Sequence, residues 1–222
     1  MMKKTLFVAM MLGLTLAGIN PVLAGVDCPN DNVPNLDTEF GPGTIVKTTC
    51  LSDTTDIKIV MQLNKSCRDS YATHPVGTNG KPTGDVSKVV NNVANCTRPY
   101  TLGNLLNMYN DYTITNGIDA EEIDMKVIVH SGGGFLLLKD EGYDGNGNPV
   151  TGRNKFQTNV EALMDMGVKF YFCQNTTRGF IKKGILPAGG ATAELIEGIE
   201  YVTAGVTAIA DLQEQGYKYV QP

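Results

Sequence analysis

Gly167-Val168-Lys169-Phe170-Tyr171-Phe172-Cys173-Gln174-Asn175-Thr176-Thr177-Arg178-Gly179 carries a buried strand that ends on a cysteine. Gly167 stops a helical pattern, and the residues from Val168 to Phe172 are β-branched or aromatic. Asn175, Thr176 and Thr177 then offer N-cap chemistry to a following helix. Cys173 therefore stands where a strand hands over to a helix. Ligands and chemistry collect at that carboxyl edge of an open α/β sheet, and a helix N-terminus favours a thiolate.

Four further strands read outward from this one. Upstream are Ile57 to Leu63 and Met125 to His130; downstream are Ile199 to Val202 and Tyr217 to Val220. Helical spacing of apolar residues falls between them, at Val86 to Val93, Leu102 to Tyr109, Phe156 to Met164, a short stretch through Phe180 and Ile181, Ala193 to Ile196, and Gly205 to Gln215. The alternation predicts a mostly parallel five-stranded sheet, joined by right-handed crossovers and covered by helices on both faces.

Met1 to Ala24 has Lys3-Lys4, an apolar run from Leu6 to Ile19 and a small-residue ending. That is the pattern of a secretory signal cleaved near Ala24, too short in its apolar part for a spanning helix. The expected organisation is a signal at 1–24, an irregular Gly/Pro-rich arm at 25–56 and one α/β domain at 57–222, periplasmic or secreted. The chain carries 18 Lys+Arg against 23 Asp+Glu, a net charge of −5. Losing Lys3 and Lys4 makes it more acidic still, which argues against nucleic acid as a partner.

An odd cysteine count matters in an exported chain. Cys28, Cys50, Cys67 and Cys96 lie in the loop-rich first half, whereas Cys173 stands alone in the second. Oxidising conditions would pair the four and leave Cys173 free. Three connectivities are open, of which the local one, Cys28 with Cys50 and Cys67 with Cys96, is preferred.

His130 ends the strand before that of Cys173, so the two tips can meet. The imidazole could then take the thiol's proton or hold the thiolate; the plainer alternative is a histidine that only caps its strand. Ser131-Gly132-Gly133-Gly134 could turn amides toward an anion through Gly132 and Gly133, although the nucleotide fingerprint is missing and a tight turn is its simpler use. Asn175 and Arg178 complete a candidate anion site. Counting a calcium loop from Asp144 places Pro149 and Lys155 where Gly and Glu belong, and His74 lacks partners at metal-ligand spacing. No metal and no cofactor are therefore expected, and no nucleophile elbow is present.

Three stretches, Lys126 to Gly132, Gly167 to Cys173 and Leu212 to Pro222, resemble the DsrE/DsrF-like sulfur-relay family, with a weaker match at Lys58 to Asn64. The resemblance spans most of 57–222; the arm before it and the insertion at Lys65 to Asp85 depart from the family. It implies a flavodoxin-like three-layer fold, assembly into trimers or hexamers, and a cysteine at the position of Cys173 that in some members carries sulfur as a persulfide. Sulfur donors or acceptors would then be the partners. The competing expectation is a non-catalytic binding or assembly module in which Cys173 is incidental.

Overall fold

The computed structural model describes residues 26–27, 49–50, 56–67, 96 and 99–221. The expected signal segment, the helix at Val86 to Val93, His74 and Cys28 lie outside the described residues, as does the side chain of Cys50. Five strands form the central sheet: β1 (Ile57–Leu63), β2 (Ile123–Val129), β3 (Lys169–Cys173), β4 (Glu200–Val202) and β5 (Lys218–Val220). Their order is β4-β3-β2-β1-β5, and every neighbouring pair is parallel.

The connections explain the layers. Helices α1 (Tyr100–Asn110), α2 (Gln157–Asp165) and α3 (Gln174–Lys182) follow β1, β2 and β3, while α4 (Gly205–Glu214) follows β4. Moving from β1 to β4 steps across the sheet in one direction, so right-handed crossovers put α1, α2 and α3 on one face. The step from β4 back to β5 reverses that direction and sends α4 to the other face. Leu102, Leu105, Val160, Leu163 and Phe180 accordingly join the main core, whereas Ile209 packs with Val60, Ile128 and Tyr217.

Strand alternation feeds both layers. Ile57, Ile59, Met61 and Leu63 of β1, Met125, Val127 and Val129 of β2, and Phe170 and Phe172 of β3 enter the main core. Phe172 is fully buried, edge-on to Phe180 at 5.9 Å and stacked near Tyr201 at 6.0 Å; burial of such a ring contributes about 1.5–3 kcal/mol. α1 runs on into a π-helical turn, Asp111–Thr115.

Between β2 and α2, a 3-10 segment, Ser131–Leu137, leads to a small antiparallel ribbon of Gly142–Tyr143 with Pro149–Val150. Buried Asn154 donates to the carbonyls of Leu136 and Leu138 at 2.8 and 2.7 Å. Arg153 pairs with Glu194 at 2.7 Å, and Glu194 also accepts the Tyr143 amide at 2.7 Å. These bonds tie the ribbon to the loop before β4. Asp144 caps the turn by accepting from the amides of Asn146 and Asn148, so the loop considered for calcium is closed by its own backbone donors.

Cys67 and Cys96 form a disulfide with Cα atoms 5.6 Å apart, as the local pairing predicts. Cys173 is a free, buried cysteine. Among the described residues no helix is long and apolar enough to cross a membrane.

Candidate functional site at the carboxyl edge

The parallel register aligns Leu63, Val129, Phe172 and Tyr201 in one row across β1 to β4. One residue further on, Asn64, His130 and Cys173 come together at the carboxyl edge, with Cys173 itself paired to Val202. The expected approach of the His130 and Cys173 strand tips follows from this register.

Sequence reasoning places the helix start after Asn175, but α3 begins at Gln174 and Cys173 is its N-cap. The change strengthens the electrostatics. An N-cap side chain sits beside the unbonded amides of the second and third helical residues, here Asn175 and Thr176; Cys173 makes no capping hydrogen bond to them, so their effect on the sulfur is electrostatic. Gly205, the first residue of α4, donates its N–H to Cys173 Sγ at 3.3 Å. The start of α4 thus bonds the sulfur directly, and the start of α3 lies beside it.

Burial alone would raise the Cys173 thiol. The backbone amides of Thr176, Gly205 and Asn175, with the Thr176 hydroxyl, oppose that effect and outweigh it, holding the thiol below its ordinary value. Thr176 Oγ1 also accepts the Ser131 amide at 2.8 Å, joining the segment after β2 to α3. Ser131 has φ 51°, a left-handed conformation that costs a non-glycine residue free energy and is held here by these surrounding bonds.

A cavity of about 690 Å³ opens beside the sulfur, lined among others by Lys65, Ser131, Gly132, Asn175 and Lys183. Among the described residues no carboxylate lines it. Cys173 is only 4 % exposed, yet it borders this space. Gly132 and Asn175 are therefore at the site. Gly133 is not among the lining residues: a Cβ there would sit 2.3 Å from the Leu63 carbonyl oxygen, so its smallness serves close packing on β1.

Arg178 lies elsewhere. It donates to Asn175 Oδ1 at 2.7 Å and borders a separate depression with Gln174, Thr192 and Tyr201. Among the described residues, positive charge at the cavity comes instead from Lys65 and Lys183, which sequence reasoning missed. Helix phase could have found Lys183, because Asn175, Gly179 and Lys183 repeat every four residues along one face of α3 and its continuation. Lys65 could be placed only once the end of β1 was known.

His130 meets the site through its carbon edge. Its Nε2 lies 2.6 Å from Gln62 Nε2 and its Nδ1 3.0 Å from Ser131 Oγ. Burial pushes the imidazole below its ordinary pKa, toward the neutral ring.

An open parallel sheet, an unpaired thiol at its carboxyl edge and a cradle of amides around the sulfur define the class of site. The profile of the DsrE/DsrF-like family matches residues 86–222, and the chain belongs to that family. A solved structure of a protein of unknown function, MTH1491 from Methanobacterium thermoautotrophicum, is 22% identical with a TM-score of 0.44; the match covers 75% of this chain and all of that one. Comparison with curated proteins gave no match.

Proposed function

We propose that the protein is an exported carrier of sulfane sulfur, with Cys173 as the atom that accepts and hands on the sulfur. The observation that carries this reading is the unpaired Cys173 Sγ, which accepts the Gly205 amide and sits at the start of α3, beside a cavity that no carboxylate lines among the described residues. Family membership supports it, since the family is associated with sulfur relay.

In the loading step the Cys173 thiolate attacks the outer sulfur of a donor persulfide, R–S–SH. The donor S–S bond breaks, a bond forms between Sγ and the transferred sulfur, and R–S⁻ leaves with the electron pair. The same substitution with the roles exchanged unloads it: an acceptor thiolate attacks the outer sulfur, the Sγ–S bond breaks and Cys173 departs as thiolate, stabilised by the same amides. No external oxidant or reductant enters either step. Mass spectrometry after exposure to polysulfide tests the proposal, which expects one added sulfur on Cys173; an unmodified Cys173 in the folded protein removes it.

Lys65 and Lys183 take the role of drawing anionic donors to the mouth. Replacing both by Ala is expected to slow loading from polysulfide by roughly 3- to 10-fold at low salt and by less at high salt, while leaving alkylation by a neutral reagent unchanged. Equal loading rates for the variant and the parent protein would remove these lysines from the mechanism.

The 4 % exposure of Cys173 favours a second reading, a binding module whose thiol is inert. Native labelling separates the two. Slow labelling that does not vary with pH supports the module, whereas labelling that rises through a midpoint below the ordinary thiol value supports the carrier. Assembly into a trimer or hexamer belongs to the same proposal; Leu106, Ile114 and Val206 are large apolar side chains left exposed on the single chain. A monomer mass by light scattering would remove that part.

A further inference from the structure

The two ring nitrogens of His130 are engaged away from Cys173. Nε2 faces the Gln62 amide and Nδ1 faces Ser131 Oγ, and this holds whichever way the Gln62 amide is turned. Gln62 is fixed in turn by Tyr219 of β5, whose hydroxyl donates to Gln62 Oε1 and also lies 3.0 Å from Gln221 Oε1. A side-chain chain therefore runs from the β5 edge across β1 to the end of β2.

What His130 offers the site is a surface. A Cβ added to Gly205 would lie 3.2 Å from His130 Cδ2, 3.3 Å from its Cβ and 3.4 Å from its Cγ. The imidazole thus packs tightly against the backbone of Gly205, the residue whose amide donates to Cys173 Sγ. Moving the ring frees that amide to move.

We propose that Tyr219, Gln62 and His130 form a brace that seats the Gly205 amide on Cys173 Sγ, making His130 a positioning residue and not the acceptor of the thiol's proton. The inference concerns the thiol on which the proposed function rests, but it does not require sulfur as the ligand. Among the described residues, the charged or titratable groups lining the cavity besides His130 and Cys173 are Lys65 beyond β1 and Lys183 beyond α3; the start of α4 contributes Gly205 and Val206, neither of which titrates. The lysines are the same in every variant below, so changes among the variants report the brace.

The experiment is the pH profile of Cys173 alkylation by iodoacetamide in the full-length protein. His130→Ala is expected to raise the midpoint by about one pH unit, a tenfold loss of thiolate below it, as a hydrogen bond to the anion is weakened. Tyr219→Phe, which removes one oxygen far from the sulfur and leaves the packing of the strand, is expected to move the midpoint the same way, with roughly a threefold loss of thiolate. Gln62→Leu should match it. A merely structural role for Tyr219 would lower stability without moving that midpoint.

Unchanged midpoints in Tyr219→Phe and Gln62→Leu overturn the brace. So does a parent profile with a second inflection near the ordinary histidine value that His130→Ala abolishes, since that is the signature of a coupled Cys/His pair. Parallel sulfur loading keeps the two proposals apart. A parent protein that takes up no sulfur but shows the midpoint shifts loses the carrier role and keeps the brace, and loading with unmoved midpoints does the reverse.

Discussion

Cys173→Ser is expected to abolish sulfur loading and leave the fold as stable as the parent or slightly more so. The two halves of this result have separate causes. Serine cannot form a persulfide, and its hydroxyl is not ionised near neutral pH, so uptake from polysulfide should fall to the background of the other cysteines. Of these, Cys67 and Cys96 are joined to each other. The fold survives because residue 173 is the N-cap of α3, a position for which serine is among the preferred residues, at an advantage of about 0.5–2 kcal/mol over a residue without a capping group. Sulfur uptake by mass spectrometry and a denaturant midpoint check both halves. Full uptake in Cys173→Ser would move the carrier role to another residue.

Glu194→Ala is expected to cost about 3–5 kcal/mol, the typical penalty for removing one member of a buried ion pair. The Arg153 side chain is 12% exposed and that of Glu194 9%. Loss of the carboxylate strands the guanidinium, whose remaining bonds are to the carbonyls of Lys139, Tyr143 and Glu194, and leaves the Tyr143 amide without its acceptor. Urea unfolding measures the loss directly.

The pH dependence gives this prediction a second check. Burial raises the Glu194 carboxyl, but the Tyr143 amide, the Arg153 hydrogen bond and the charges of Arg153 and Lys139 outweigh burial and hold it below its ordinary value. A carboxylate lowered in the folded state contributes stability that is present above its unfolded value, near about 4.3, and lost as the pH falls through its folded value. The parent and Glu194→Ala should therefore differ most near neutrality and converge in acid. A constant difference down to low pH would assign the loss to packing alone.

The sheet was legible because its strands are dense in β-branched and aromatic residues and separated by one or two helical patterns. The segment Ile57–Leu63 falls where its apolar run predicts, and β2 and β3 differ from expectation by one or two residues at their ends. The meeting of His130 and Cys173 was legible for the same reason, since adjacent parallel strands align their tips. The surroundings of the sulfur were less so. Gly205 lies 32 residues beyond Cys173, and nothing local in Thr203-Ala204-Gly205 announces an amide turned toward a thiol. The engagement of His130 needed Gln62 and Tyr219, which reach it only through the order β5-β1-β2. Arg178 was misleading because one residue of helix phase decides which side of α3 a side chain takes.

The seat of the sulfur is assembled from chain pieces far apart in sequence: the residues after β1, the end of β2, the first turn of α3 and the first residue of α4. A chain still being synthesised, or one that has not yet closed its sheet, holds Cys173 as an ordinary thiol, mostly protonated at neutral pH and slow toward electrophiles. The Gly205 amide arrives only with the last crossover, so the full set of donors around the sulfur exists only once the sheet has closed.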